Sequence, residues 1–201
     1  MKKRLVLLAL PLVALTTPIR AQSGISVVGG VVSSTFSAKD DTGAEATGIA
    51  SRTGFAAGLG LSSAMGDGLG FAPEILFAQK GGNEDGGDGY LKMTFLEVPL
   101  LFRYAFGSGG SAAPFVTAGP TVGYLLSCDL GGSGESQSCD DAYGPDDSYK
   151  KLDYGLMFGL GVTFDRITIS ARYDLGLANM DKADGYSHKN KALMLLGAYA
   201  L

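Results

Sequence analysis

Tryptophan is absent from this chain, histidine occurs once and cysteine twice among 201 residues. With one histidine, His188, an imidazole base can stand at only one place. Its neighbour Ser187 is badly arranged as a nucleophile for it, because adjacent residues of a strand point to opposite faces. The Gly-x-Ser-x-Gly arrangement of serine hydrolases is missing, and Gly107-Ser108-Gly109-Gly110, which only superficially resembles it, reads as a turn. No enzyme is expected. Cys128 and Cys139 have no histidine or further cysteine nearby, which argues against zinc. The calcium-loop spacing D-x-[DN]-x-[DN]-G is absent as well, so neither a metal nor another cofactor is expected. Basic patches are lacking: the formal charge of -4 includes Lys2, Lys3, Arg4 and Arg20, and without them it falls to -4 - 4 = -8. Nucleic acid is therefore no partner. Beyond the first 21 residues no apolar run reaches the roughly 18 residues of a membrane helix. Transmembrane strands stay open, since their signal is alternation rather than continuity.

The start of the chain has a different character. Lys2, Lys3 and Arg4 precede an apolar run from Leu5 to Leu15, and Ile19-Arg20-Ala21 stand ahead of Gln22. A basic start, a short apolar core and a small residue describe a secretory signal peptide. Residues 1–21 are read as that signal, and 22–201 as one domain.

That domain alternates. In Arg166–Ala178, Ile167, Ile169, Ala171, Tyr173, Leu175 and Leu177 share one face, while Thr168, Ser170, Arg172, Asp174 and Gly176 share the other. In Leu152–Phe164 the apolar set opposes Asp153, Gly155, Gly159 and Gly161. Segments Thr53–Ser63, Leu69–Lys80, Leu91–Phe106, Ala113–Ser127 and Lys191–Leu201 follow the same rule. Ile25–Phe36 is strand-like with ambiguous faces, making eight strands. With 31 glycines, about twice the usual share, the strands imply a crowded interior or close backbone approach. Pro99, Pro114 and Pro120 each remove a ladder donor and are expected at bulges or local breaks.

Connections alternate in length: 38–51, 81–90, 128–149 and 179–190 are long, whereas 65–68, 107–111 and the turn near 165 are short. Long loops on one side and short turns on the other describe an outer-membrane barrel with periplasmic termini. A soluble eight-stranded barrel needs no such asymmetry and turns its apolar set inward. The expected fold is all-β: an eight-stranded antiparallel up-and-down transmembrane β-barrel of OmpX/OmpA-like size. Phe71, Tyr104, Phe106, Phe164 and Tyr199 form one expected aromatic girdle, and Phe55, Phe77, Tyr124, Tyr154 and Tyr173 the other.

On this reading Glu74, Lys80, Glu97, Arg103, Asp153, Arg172 and Asp174 all point inward. An eight-stranded barrel is just wide enough for side chains to fill it, so these charges are expected to form a paired polar core in which each carboxylate meets an arginine. The sharper alternative is a narrow ion or proton path. Cys128 and Cys139, an even pair in an exported chain, are expected to form a disulfide. Asp129, Glu135, Asp140, Asp141, Asp146 and Asp147, with Glu84, Asp85 and Asp88, are expected to make acidic, solvated loops, with divalent-dependent contact to surface lipopolysaccharide as the alternative.

Five stretches resemble one known family. They are Pro73-Glu74-Ile75-Leu76-Phe77-Ala78-Gln79-Lys80-Gly81, Phe95-Leu96-Glu97-Val98-Pro99-Leu100-Leu101-Phe102-Arg103-Tyr104, Pro114-Phe115-Val116-Thr117-Ala118-Gly119-Pro120, Asp153-Tyr154-Gly155-Leu156 and Arg172-Tyr173-Asp174-Leu175-Gly176-Leu177-Ala178-Asn179. In order and spacing these are similar to the PorT-like outer membrane protein β-barrel domain family, of porin-family annotation. The resemblance implies an eight-stranded outer-membrane barrel and little about activity. The expected function is structural or surface-interacting with a largely plugged lumen; the alternatives are a narrow porin or a component of a protein secretion machinery. Expected partners are outer-membrane lipid and lipopolysaccharide, and the barrel assembly machinery during insertion. The chain ends in Leu201 where outer-membrane strands often end in Phe.

Overall fold

The computed structural model describes residues 24–39, 44–45, 47–106, 112–144, 149–182 and 187–201. The expected signal peptide, Asp146, Asp147 and the 107–110 turn lie outside them. Nine strands and one short helix follow in order: β1 (Gly24–Lys39), β2 (Ile49–Gly66), β3 (Leu69–Glu84), β4 (Tyr90–Ala105), β5 (Ala113–Gly132), β6 (Glu135–Ser138), α1 (Cys139–Tyr143), β7 (Leu152–Phe164), β8 (Ile167–Gly176) and β9 (Ser187–Ala200). All pairings between strands are antiparallel, each barrel strand joins its neighbour in sequence, and β1 pairs with β9 to close the ring. Eight strands make the barrel. The ninth, β6, only folds back on the loop end of β5.

Face selection follows from parity. Leu59, Ile75, Leu160, Leu193 and Leu195 all point outward and are more than half exposed. Exposing such a side chain to water forgoes roughly 1.5–3 kcal/mol each, so a continuous outer band of them is a lipid-facing surface. Outward aromatics flank it as expected: Phe55 lies 5.9 Å from Phe77 at one level, and Tyr104 5.2 Å from Phe106 at the other. In β1 the pairing settles the ambiguous faces: Val28, Val32 and Ser34 point inward, whereas Ile25, Val27 and Val31 point outward.

Turn chemistry sets the short ends. Asp67 and Gly68 both have positive φ (50° and 81°), the backbone that a two-residue type I′ hairpin requires. Two of the three prolines lie at interruptions of the ladder that do not shift it, whereas Pro114 pairs with Val162 in an unbroken run and marks no break. Between β3 and β4 the pairing lapses around Pro99 and resumes in the same register, and between β4 and β5 it does so around Pro120. The one register shift between β4 and β5 is a bulge at Thr94 and Phe95, opposite Leu125 to Ser127. Beyond it β5 runs on to Gly132, and β3 and β4 reach Glu84 and Tyr90, so these strands stand higher than alternation alone indicates. At about 3.4 Å per residue, the 20 residues of β5 far exceed the roughly 9–11 that cross a bilayer.

The interior is not uniformly polar. Val28, Val32, Leu76, Leu101, Met157, Met194 and Leu196 form one buried apolar cluster. Leu91, Met93, Phe95, Leu125, Cys139 and Met180 form a second, with Phe36, Cys128 and Tyr149 packed against it. The polar, glycine-lined inside expected from sequence is thus corrected to charged rows set between apolar layers. A carboxylate or ammonium on every inward position would carry a desolvation cost that only pairing offsets, and apolar filling avoids it.

Candidate functional site in the barrel interior

All seven inward charges lie on the interior face, and six of them are buried; Arg103 is half-buried. They form three separate groups. In the first, the Lys80 ammonium is 2 % exposed and held between the carboxylates of Glu97 and Asp174. Its Nζ also stands 5.7 Å from the centre of the Phe95 ring. In the second, Asn190 donates from Nδ2 to Asp153 Oδ2 at 2.8 Å. Glu97 of β4, Gly123 of β5 and Asp153 of β7 share one row across three strands. This loop-side layer sums one cation against three carboxylates, a formal 1 - 3 = -2. Glu97 Oε2, Asp153 Oδ1, Asp174 Oδ1 and Asn190 Oδ1 have no hydrogen-bond partner among the described residues.

In the third group Arg172 grips Glu74 with a two-pronged contact, Nη1 to Oε2 at 2.6 Å and Nη2 to Oε1 at 2.8 Å. This is the fork geometry in which a guanidinium binds a carboxylate most strongly. Arg103 has no carboxylate partner among the described residues. It donates to Thr163 Oγ1 at 2.9 Å and lies 3.9 Å from the centre of the Phe115 ring.

The expectation that each carboxylate meets an arginine therefore holds for Glu74 alone. The reason is height in the barrel. Arg103 stands six residues from Glu97 along β4, about 20 Å at strand rise, so it cannot reach the loop-side carboxylates. A lysine on β3 serves two of them instead, and an amide on β9 serves the other.

Above the charged rows, His188 is 3 % exposed and stacks on Phe36 with ring centres 4.1 Å apart; Tyr149 meets it edge-on at 5.0 Å. Asn179 Oδ1 accepts from the His188 backbone N–H at 2.8 Å. Burial raises the pKa of the Tyr149 hydroxyl, with Tyr143 and Asp181 adding to the effect. Cys128 and Cys139 form the expected disulfide, with Cα atoms 5.4 Å apart. It ties α1 over this layer, and Ser138 caps the helix by accepting from the Asp141 N–H at 3.1 Å. Sequence reasoning missed Asn190 and the Phe36–His188–Tyr149 stack. The last strand was expected to begin at Lys191, so Asn190 and His188 fell outside it; parity extended back through β9 places both inward.

Of the loop acids, Asp129 pairs with Lys92 at 3.1 Å, and Glu135, Asp140 and Asp141 are exposed. Among the described residues no group of three His, Cys, Asp or Glu side chains is placed to hold a metal ion.

Residues 19–182 match the family described as outer membrane protein beta-barrel domain. The chain belongs to this family. No curated protein matches it. Among solved structures, this family member is similar to Neisserial surface protein A (14% identity, 89% of this chain and 99% of that one, TM-score 0.47). It is also similar to the outer membrane protein OprG from Pseudomonas aeruginosa (16% identity, 89% and 96%, TM-score 0.48). The outer membrane enzyme PagL is a further similar structure (17% identity, 85% and 99%, TM-score 0.48). Membership of the family implies an outer-membrane location.

Proposed function

We propose that this chain is a non-enzymatic outer-membrane barrel with a largely plugged lumen, serving as a structural or surface-interaction protein. The observation that carries the reading is the filled cross-section at Lys80: Lys80, Glu97 and Asp174 occupy the interior together, none more than 3 % exposed. Apolar Leu76, Leu101 and Met194 pack in the same barrel, and the disulfide-tied layer of Phe36, His188 and Tyr149 lies toward the loops. A hydrated ion moving through would have to break charge pairs that are costly to separate.

The absence of catalysis is supported by the only histidine. His188 is enclosed by two rings, its Nε2 has no hydrogen-bond partner among the described residues, and the adjacent Ser187 belongs to the opposite face. The outer apolar band suits outer-membrane lipid and the inner edge of lipopolysaccharide, and the barrel assembly machinery is the expected partner during insertion. Residues 1–21 act as a cleaved signal. The order and spacing of the five matching stretches support a PorT-like affiliation within the family. Liposome swelling tests the reading: vesicles carrying the refolded barrel take up arabinose no faster than empty ones. Uptake scaling with the amount of barrel would favour a narrow porin instead.

A further inference from the structure

Below the Lys80 layer, at the short-turn end, the barrel holds a cavity of about 330 Å³ whose wall includes Glu74, Arg103, Thr117, Arg166 and Arg172. Its character is opposite to that of the layer above. Counting Arg103, Arg166 and Arg172 against Glu74 and Asp165, all of which line it, gives 3 - 2 = +1. Three of these positions belong to a single row: Arg103 of β4 pairs with Thr117 of β5, Thr117 with Gly159 of β7, and Gly159 with Arg172 of β8. Side chains of one row share a face, so two guanidinium groups and a hydroxyl approach the same space.

Gly159 lets the side chains of Thr117 and Arg172 close together in the wall. A Cβ there would stand 2.8 Å from Thr117 Oγ1 and 2.9 Å from Arg172 Cγ. The donors around it are underused. Thr117 Oγ1 and Arg172 Nε are sealed within the wall, without a hydrogen-bond partner among the described residues, which leaves Arg103 and Arg166 as the lining arginines with donors to spare. Arg103 spends one N–H on Thr163, whose hydroxyl is shared with Thr168 at 2.8 Å. The remaining N–H groups of Arg103 have no partner among the described side chains. A planar guanidinium without a carboxylate partner among the described residues, in a cavity that Arg166 also lines, is the chemistry that recognises oxyanions.

We propose that this cup binds a small oxyanion, a phosphate or carboxylate group, entering from the short-turn end. Arg103 is the principal ligand, and Arg166, an exposed residue of the same wall, is the second. The cup lies below the filled layer and does not depend on that layer being sealed.

Calorimetric titration of the refolded barrel in detergent, at constant chloride, with inorganic phosphate and separately with acetate tests this. Saturable one-to-one binding of at least one anion is expected, and the preferred one distinguishes a phosphate from a carboxylate source. Arg103→Gln should weaken it at least tenfold, and Arg166→Gln several-fold. Heat-modifiable migration on a gel verifies that each variant is folded; Arg166→Gln, at an exposed residue, retains the test if Arg103→Gln fails to fold. No saturable binding of either anion, or binding unchanged in folded Arg103→Gln or, failing that, in Arg166→Gln, would overturn the proposal.

Discussion

Lys80→Met removes one charge from the filled cross-section and keeps nearly the same length of side chain. The wild-type ammonium is 2 % exposed and touches both Glu97 and Asp174, themselves 2 % and 3 % exposed. Methionine would leave two buried carboxylates facing each other without a cation. Removing one partner of a buried ion pair typically costs about 3–5 kcal/mol, and here one removal strands two carboxylates, so the upper part of that range is expected. With a urea slope of about 2 kcal/mol/M, the unfolding midpoint of the vesicle-inserted barrel should fall by about 2 M. The triple variant Lys80→Met, Glu97→Gln, Asp174→Asn should regain most of the loss, because it removes the stranded charge along with its partner. Lys92→Met is the contrasting control. It breaks the Lys92–Asp129 pair, whose side chains are 31 % and 29 % exposed, and such surface pairs contribute about 0–1 kcal/mol. A Lys80→Met barrel within about 1 kcal/mol of wild type, or a triple variant no more stable than the single one, would refute the reasoning.

Two further outcomes follow from named contacts and a third from the sequence. Gly119→Ala should largely prevent folding, since a Cβ there runs into the Leu100 carbonyl. Gly123→Ala should fold normally, since its Cβ meets only side chains at 3.4–3.7 Å, and heat-modifiable migration separates the two. Replacing Cys128 and Cys139 by serine releases a disulfide that spans 11 residues, and the chain-entropy model gives a loss of about 3 kcal/mol in urea unfolding without reductant. N-terminal sequencing of the exported protein should begin at Gln22; a chain starting at Met1 would contradict the signal assignment.

Much of this barrel is legible in the sequence because period two is a direct readout of face. Leu152 to Phe164 and Ile167 to Gly176 show it unbroken, and their pairing is continuous. Gly29-Gly30, Val31-Val32 and Ser33-Ser34 in β1 are doublets of like residues, so parity carries no contrast there and pairing to β2 and β9 has to decide. The upper end of β5 escaped for a different reason. The bulge near Leu126 shifts parity, so alternation read from Ala113 ends at Ser127 although the strand continues to Gly132. Parity also says which face a residue takes but not which row it shares. Lys80 and Asp174 are 94 residues apart, and their meeting is fixed by register around the whole ring. Inward Leu76, Leu101, Met157 and Met194 were hidden because apolar residues occupy both faces at those heights. The same limit hid the Arg103–Thr117–Gly159–Arg172 row, which exists only once four strands are aligned.

The filled cross-section around Lys80 is what separates a plugged barrel from a channel, and single-channel recording in a planar bilayer addresses it directly. Fully inserted wild-type barrel, verified by heat-modifiable migration, should leave the bilayer current at its baseline under applied voltage. Reproducible unit conductance steps from that preparation would contradict a plugged lumen and would make the inward charges a pathway.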